Sequence, residues 1–382
     1  MKFNSSFSSA NFFIKQLSLN GFRNYSAKKL NFTSDKVVFV GKNGRGKTNI
    51  LEAISILSVG KSWRERFFFE NKIPNLTKKN CNLIQVGCPE ESAVIELETA
   101  QNNIYQVQIF PRKRIFKKNG KKISRKKQLN EIPTLLFAPE YLEIFSSAKK
   151  SRQSFFDRFL CQLDLQYKDL LTQTLRVIKQ KNAIFSIARK ENYSSGELLK
   201  QVQPWNEILS ENIPRIWKFR ENFLAELEPI LQSELNKITK NNDKINIFLV
   251  RGGFDSEELT SEETSFKNTE LDFSRELLAY RCLFSPTRDD FTLFYREQPV
   301  MNTVSRGEIR SILLALLSAK KKYFFAKTGK MPILLLDDCF SELDDNRQQG
   351  LEKLCEGTQA FFTTTHKEHF AKFSTKIQKI EI

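Results

Sequence analysis

The sequence predicts an α/β protein: a mixed sheet with helices, interrupted by an inserted, compact helical subdomain. Three observations carry this. Short apolar runs of strand length lie near both ends, at Lys36-Val37-Val38-Phe39-Val40 and Ile333-Leu334-Leu335-Leu336, and each leads into a loop of distinctive residues. Alternating stretches such as Ala93-Val94-Ile95-Glu96-Leu97 and Tyr105-Gln106-Val107-Gln108-Ile109 follow the first run and read as antiparallel strands. From Pro139 to about Asn241 the apolar period becomes helical. The expected division is therefore 11–137 for the first part of the α/β domain, 138–272 for the helical insert and an acidic linker, and 273–382 for the rest of the α/β domain.

Size and composition bound the function. The chain has 382 residues, 40% of them hydrophobic, and a mean hydropathy of −0.42. That suits a soluble chain with a real core. The richest apolar run, Ile312 to Leu317, is far too short to span a bilayer. Met1 to Phe13 is rich in Ser and Asn without an apolar signal core, so a cytoplasmic protein is expected. The 6 Cys form no C-x-x-C pair, which argues against a disulfide frame or zinc site. The formal net charge of +17 suggests a polyanionic partner, nucleic acid ahead of a membrane surface. The competing reading is a generally basic, solvated surface.

Taken in order, Ile14 to Leu19 alternates like a half-buried strand, Asn20 to Tyr25 reads as a turn, and a second strand starts at Leu30. The apolar run 36–40 enters Gly41-Lys42-Asn43-Gly44-Arg45-Gly46-Lys47-Thr48, which fits G-x-x-x-x-G-K-[ST], the Walker A phosphate loop. Ile50, Leu51, Ile54 and Leu57 then recur at helical spacing up to Gly60. Glycines let backbone N–H groups curl toward phosphate oxygens, and the helix N-terminus adds partial positive charge. Lys47 would reach the β- and γ-phosphates and Thr48 would hold Mg²⁺; Asn49 follows in the same turn. A glycine-rich turn before an ordinary helix is the bland alternative. In Gly60-Lys61-Ser62-Trp63-Arg64, Ser62 and Arg64 could face phosphate or DNA, or Trp63 could merely cap the core.

Residues 112 to 127 hold ten cations and no carboxylate, including Arg112, Lys113, Arg114, Lys117, Lys118, Lys121 and Lys122. Asn119-Gly120 at their centre signals a type I′ hairpin. A two-stranded ribbon tracking DNA phosphates is one reading, and a solvated edge hairpin the other. In the insert, Phe155, Phe156, Phe159, Leu160 and Leu163 share a face, and Pro204-Trp205 opens a further helix through Leu227. Glu257 to Thr269 reads as an acidic loop.

Near the other end, Ser305-Arg306-Gly307-Glu308 precedes an apolar helix from Ile309 to Lys321. The run 333–336 ends in Asp337-Asp338, a buried strand delivering acids at its carboxyl end, as in Walker B. Asp337 would orient Mg²⁺ and Asp338 would polarise the attacking water. Ser341-Glu342-Leu343-Asp344 follows, and Ala360 to Thr365 reads as a strand ending at His366, a possible switch or a surface residue.

These motifs together resemble the RecF family of bacterial recombination and gap-repair ATPases, related to SMC proteins. Phe22-Arg23-Asn24-Tyr25, Gly41 to Thr48 with Asn49 to Ile54, Ser305-Arg306-Gly307, Leu334 to Asp338 and Ser341 to Asp344 carry the likeness. Weaker echoes are Arg152, Asp157, Tyr167, Lys181, Trp205 and Ser285 to Asp290. The resemblance implies an ABC-type ATPase head that uses ATP and Mg²⁺. It implies a homodimer closed by ATP, each Walker A facing the partner's signature Ser305-Arg306-Gly307, with Ser341 to Asp344 as the D-loop. It further implies binding to single-stranded DNA, gaps and duplex junctions, and work with RecR and RecO to load RecA. Glu308 stands where the family usually has Gln, Lys181 where it has Arg, and Ser285 and Thr287 where it has Gly and His. A transporter ATPase subunit shares the same nucleotide motifs, but the insert, the charge and the Phe22–Tyr25 segment disfavour it. A P-loop kinase would leave Ser305 to Gly307 unexplained.

Overall fold

A hairpin, β1 (Ile14–Phe22) and β2 (Tyr25–Asn31), opens the computed structural model, which describes residues 12–64, 81–124, 127, 131–145, 149–252, 271, 273–339, 345–366, 373 and 376–382. β2 starts five residues earlier than Leu30. Phe22 pairs with Tyr25 across a two-residue turn in which Arg23 takes φ 55°. The turn falls inside the expected Asn20–Tyr25 span but is confined to Arg23-Asn24, which is no standard hairpin signal, so β1 runs on to Phe22.

β4 (Ala93–Thr99), β5 (Ile104–Ile109), β6 (Arg114–Lys118) and β7 (Lys121–Ile123) extend the hairpin into a six-stranded antiparallel sheet, order β2-β1-β4-β5-β6-β7. Its inner face buries Leu17, Leu19, Ile95, Leu97, Val107 and Phe116. Asn119 and Gly120 both take positive φ, 48° and 76°, as a type I′ turn requires. The basic segment is not a separate ribbon: β6 pairs with β5 from Tyr105↔Lys118 to Ile109↔Arg114, so it forms the rim of the larger sheet.

The second sheet is wholly parallel. β14 (Gln378–Glu381), β3 (Lys36–Val40), β13 (Ala360–Thr364), β12 (Ile333–Leu336) and β8 (Thr134–Phe137) lie side by side in that order. Every residue of β3, β12 and β13 is buried, the signature of a sheet covered on both faces. The helix α1 (Lys47–Val59) packs Ile50, Leu51, Ile54 and Leu57 into a core shared with Val37, Phe39, Leu335 and Phe361. Gly60 ends it at φ 75°, its N–H donating to Ile56 O at 2.9 Å.

Contacts divide the chain into two compact units, Met1–Tyr141 with Leu316–Ile382, and Leu142–Ala315. The second unit holds α2 (Lys149–Leu163), α3 (Leu165–Glu191) and α4 (Ser195–Thr239). It also holds a three-stranded antiparallel sheet of β9 (Ile245–Val250), β10 (Asp290–Tyr295) and β11 (Gln298–Pro299), with the short helices α5 (Ser274–Ala279) and α6 (Val300–Thr303). Because β9 pairs with β10, the later edge of this unit falls at Ala315 rather than at 272. Pro204 does not open a helix: α4 starts at a capping box made by Ser194 and Glu197 and runs 45 residues through Pro204, Pro214 and Pro229. Its buried face, from Leu198 and Val202 to Leu231 and Leu235, outweighs the helix-breaking cost of the prolines. Glu257 to Thr269 lie outside the described residues.

Buried ion pairs brace this unit. Arg220 is fully buried and meets Asp157 at 2.9 Å, Tyr167 Oη at 3.0 Å, and Asp289. Trp217 Nε1 and Gly252 N donate to the same Asp289 at 3.0 and 2.8 Å. Arg152 forks onto Asp290 with two bonds of 2.8 Å. Lys181 pairs with Glu276, both fully buried, and Glu276 also accepts the N–H groups of Leu283 and Phe284. Lys181→Met should leave a buried carboxylate unpaired and lower the unfolding free energy by about 3–5 kcal/mol. Adding Glu276→Gln should recover part of that loss; urea denaturation of the two variants checks it.

Candidate functional site

The carboxyl ends of β3, β13 and β12 deliver the nucleotide motifs to one end of the parallel sheet. Gly41 follows β3 directly, and a Cβ there would fall 2.3 Å from Ile382 O, so the close approach of the neighbouring strand demands glycine. Gly46, the residue before α1, takes φ 104° and lies under Asn24 and Tyr25; a Cβ would meet the Asn24 amide at 2.6 Å. Lys42, Asn43, Gly44 and Arg45 form the exposed rim of the loop. Lys47 Nζ turns back into the loop and donates to Gly41 O at 2.7 Å and Lys42 O at 2.9 Å. Burial lowers its pKa, while the nearby Asp338 and Asp337 oppose that shift.

Walker A and Walker B meet through one hydrogen bond. Thr48 Oγ1 donates to Asp337 Oδ1 at 2.9 Å, and Thr363 Oγ1 of β13 donates to the same oxygen at 2.6 Å. Burial raises the Asp337 pKa, and the two hydroxyl donors act against it. Asp338 is exposed, takes φ 44°, and its N–H donates to Thr363 Oγ1 at 2.9 Å. His366 is exposed just past β13, its N–H on Thr364 Oγ1 at 3.2 Å. Among the described residues no three His, Cys, Asp or Glu side chains gather around a metal position. The Thr48 and Asp337 oxygens are instead the few hard donors that suit Mg²⁺, which completes its shell with phosphate and water.

The sequence reading missed Glu52. This carboxylate is fully buried on α1 and takes two bonds from Arg23, at 2.9 and 2.6 Å, and one from Ser62. Arg23 also donates to Asn82 O at 2.8 Å. Arg64 approaches Glu52 at 3.6 Å and donates to Asn49 Oδ1 at 2.9 Å. Asn49 donates to Asn24 Oδ1 at 2.9 Å, and Asn24 to Arg45 O at 3.0 Å. The β1–β2 turn therefore clamps the phosphate loop. A charged residue amid the apolar positions of α1 was the available signal. Trp63 is buried, as the core-capping reading of the 60–64 loop expects, and Ser62 is buried as well with its hydroxyl on Glu52, so Ser62 does not face phosphate or DNA.

Two of the expected DNA-facing cations have structural work. Arg114 donates to Gly60 O at 2.8 Å, beyond the C-terminus of α1. Lys118 pairs with Glu131 at 2.6 Å and lies 5.3 Å from the Tyr105 ring centre. Lys113 lies over Phe110, 5.1 Å from its centre. Arg112, Lys113, Lys121 and Lys122 are exposed, and Lys117 stands opposite Lys122.

The signature segment begins the helix α7 (Arg306–Thr328), which starts three residues before Ile309. Ser305 is exposed at its cap: its N–H and Oγ both donate to Glu308 Oε2, at 3.1 and 2.7 Å, and Glu308 N donates back to Ser305 Oγ at 3.3 Å. Arg306 and Gly307 thus lie in the first turn. Ser341, Glu342, Leu343 and Asp344 lie outside the described residues.

Residues 13–382 match the family described as RecF/RecN/SMC N terminal domain. The DNA replication and repair protein RecF of Lactococcus lactis subsp. lactis is 30% identical over 370 residues, covering 93% of each chain. The chain belongs to the RecF family. RecF of Ruminiclostridium cellulolyticum is 29% identical over 374 residues, 94% of each chain. Solved structures of the recombination mediator protein RecF in the RecFOR pathway, as RecF-ATP and RecF-ATPrS, superpose with TM-scores of 0.79 and 0.78 at 26% and 25% identity. They cover 99% and 97% of this chain, and it covers 98% and 96% of theirs. The Smc head domain of Pyrococcus furiosus, 15% identical over 96% of this chain and 93% of its own, shares the fold with a TM-score of 0.52. The RecF-family fold is thus an ABC-type ATPase head, as the motifs implied.

Arg23→Ala should leave Glu52 with the more distant Arg64 and lower the unfolding free energy by about 2–4 kcal/mol. Arg64→Ala, with Arg23 in place, should cost less than half as much; thermal and urea unfolding of both variants compares them.

Proposed function

We propose that this chain is an ATP-dependent DNA-binding protein of RecF type, acting in DNA replication, recombinational gap repair and the SOS response. The observation that carries the reading is the Thr48–Asp337 hydrogen bond, which joins Walker A to Walker B beside Lys47. In this reading Gly41 to Asn49 and the α1 N-terminus bind the triphosphate, and Lys47 leaves its own carbonyls for the β- and γ-phosphates. Thr48 and Asp337 hold Mg²⁺, which neutralises phosphate charge when bound. Asp338 polarises the attacking water, a short base suited to slow turnover, with His366 nearby as a switch.

Two copies close face to face on ATP, each offering Ser305, Arg306 and Gly307 to the other's nucleotide, with Ser341 to Asp344 as the D-loop. ATP then works as a switch on DNA grip, at single strands, gaps and duplex junctions. Arg64, the exposed cations Arg112, Lys113, Lys121 and Lys122, and the half-buried Lys117 supply phosphate contacts, with lesser parts for Arg114 and Lys118. RecR is the direct protein partner, with RecO and RecA downstream, in the cytoplasm. A transporter ATPase subunit is the second reading. No helix among the described residues is long and apolar enough to cross a membrane; copurification with a membrane permease would support this second reading.

Lys47→Ala should lose tight ATP binding, and retained affinity in a filter assay would remove its role. Asp338→Asn should bind ATP yet cut turnover by about a hundredfold or more and accumulate dimers, read by phosphate release and light scattering. DNA affinity with ATP should fall steeply between low and moderate salt; a flat response would count against nucleic acid as the ligand.

A further inference from the structure

The signature serine is not idle in the single chain. Its hydroxyl is committed to a carboxylate, Glu308 Oε2 at 2.7 Å, where an amide would cap the helix equally well. That carboxylate is itself held. Arg296 Nη1 donates to Glu308 Oε1 at 3.1 Å, and Arg296 Nη2 to Asp243 Oδ2 at 2.8 Å. Tyr295 Oη donates to the same Asp243 oxygen at 2.7 Å, and the Arg296 guanidinium lies 4.7 Å from the Tyr295 ring centre. Ser305, Glu308, Arg296 and Asp243 thus form a continuous relay within one unit. The Ser305 hydrogen bond and the Arg296 ion pair both keep the Glu308 carboxyl below the usual range, so it is charged at neutral pH.

Arg296 occupies a costly position. It and Glu297 are consecutive residues of the β10–β11 turn at φ 50° and 62°, a conformation that asks for Asn-Gly. Backbone strain of this kind persists where the side chain has work that outweighs it. Here the side chain of the first of the two residues meets both Glu308 and Asp243.

We propose that Glu308 is a charge gate on Ser305, set by Arg296. The Ser305 hydroxyl must leave Glu308 to donate to a triphosphate on a second copy of this chain, and the remaining carboxylate repels that triphosphate unless Arg296 offsets it. The inference rests on the reading that Ser305 meets nucleotide across a dimer. Glu308→Gln keeps the capping box and removes the charge, so it separates electrostatics from helix stability.

The test is ATP-driven dimerisation of the full chain, followed by light scattering in an Asp338→Asn background so that ATP persists. Glu308→Gln should lower the ATP concentration at half-dimerisation roughly three- to tenfold, with its urea midpoint unchanged. Arg296→Gln should raise it by a similar factor, Arg296→Lys far less, and the Arg296→Gln effect should largely vanish once Glu308→Gln is present. The differences should shrink at high salt. An unchanged ATP concentration at half-dimerisation in Glu308→Gln overturns the gate, as does an Arg296→Gln effect of full size in the double variant. A parent chain that binds ATP in a filter assay but stays monomeric at saturation overturns the dimer reading, and the gate with it.

Discussion

One carboxylate oxygen, Asp337 Oδ1, holds the nucleotide end of the parallel sheet together. It accepts from Thr48 at the start of α1 and from Thr363 on β13, so the helix of Walker A, the strand of Walker B and the strand between them share one acceptor. The strand order makes this possible, because β13 lies between β3 and β12. All three strands are fully buried, and the Thr363 bond to that oxygen is buried with them. The arrangement holds Thr48 and Asp337 in place with hydrogen bonds of the protein's own.

The antiparallel sheet contributes a second restraint from the opposite side of the loop. Its first turn sends Arg23 to Glu52 and Asn24 to Arg45, and Asn49 links Asn24 to Arg64. Residues outside the phosphate motif therefore decide how rigidly that motif is held. The second unit relies on the same device in a drier setting, where Arg220 with Asp157 and Lys181 with Glu276 tie helix to helix, and Arg220 with Asp289 ties α4 to the residue before β10. Such pairs specify geometry strongly once formed, because either partner alone would be a buried, uncompensated charge.

Much of this was legible in the residues. The glycine pattern, the lysine and threonine after it, and the paired acids after a buried apolar run need particular chemistry at particular spacing, and short-range sequence encodes that well. The Asn119-Gly120 turn was legible for the same reason. The β1–β2 turn was legible as a turn within Asn20 to Tyr25, but not its two-residue length, since Arg23 adopts a left-handed conformation without glycine to announce it. The start of α4 was hidden because proline ordinarily marks a boundary, and only the long apolar stripe packed in the folded chain overrides it. Glu52 was missed because its partner Arg23 lies on a different element, a pairing that periodicity does not report. The roles of Arg114 and Lys118 were hidden likewise: their partners, Gly60 O and Glu131, lie outside the basic segment.

The central strand β3 has a further consequence for how the molecule is made. Its neighbours in the sheet, β13 and β14, come from the far end of the chain. A ribosome therefore releases Lys36 to Val40 long before either side of that strand can be covered. Until then a strand with four consecutive apolar residues and two naked hydrogen-bonding edges is available to any other nascent strand. Non-local pairing of this kind is slow. Synthesis of this chain should accordingly lean on holdase chaperones, and yield on folding conditions, more than its composition alone would suggest.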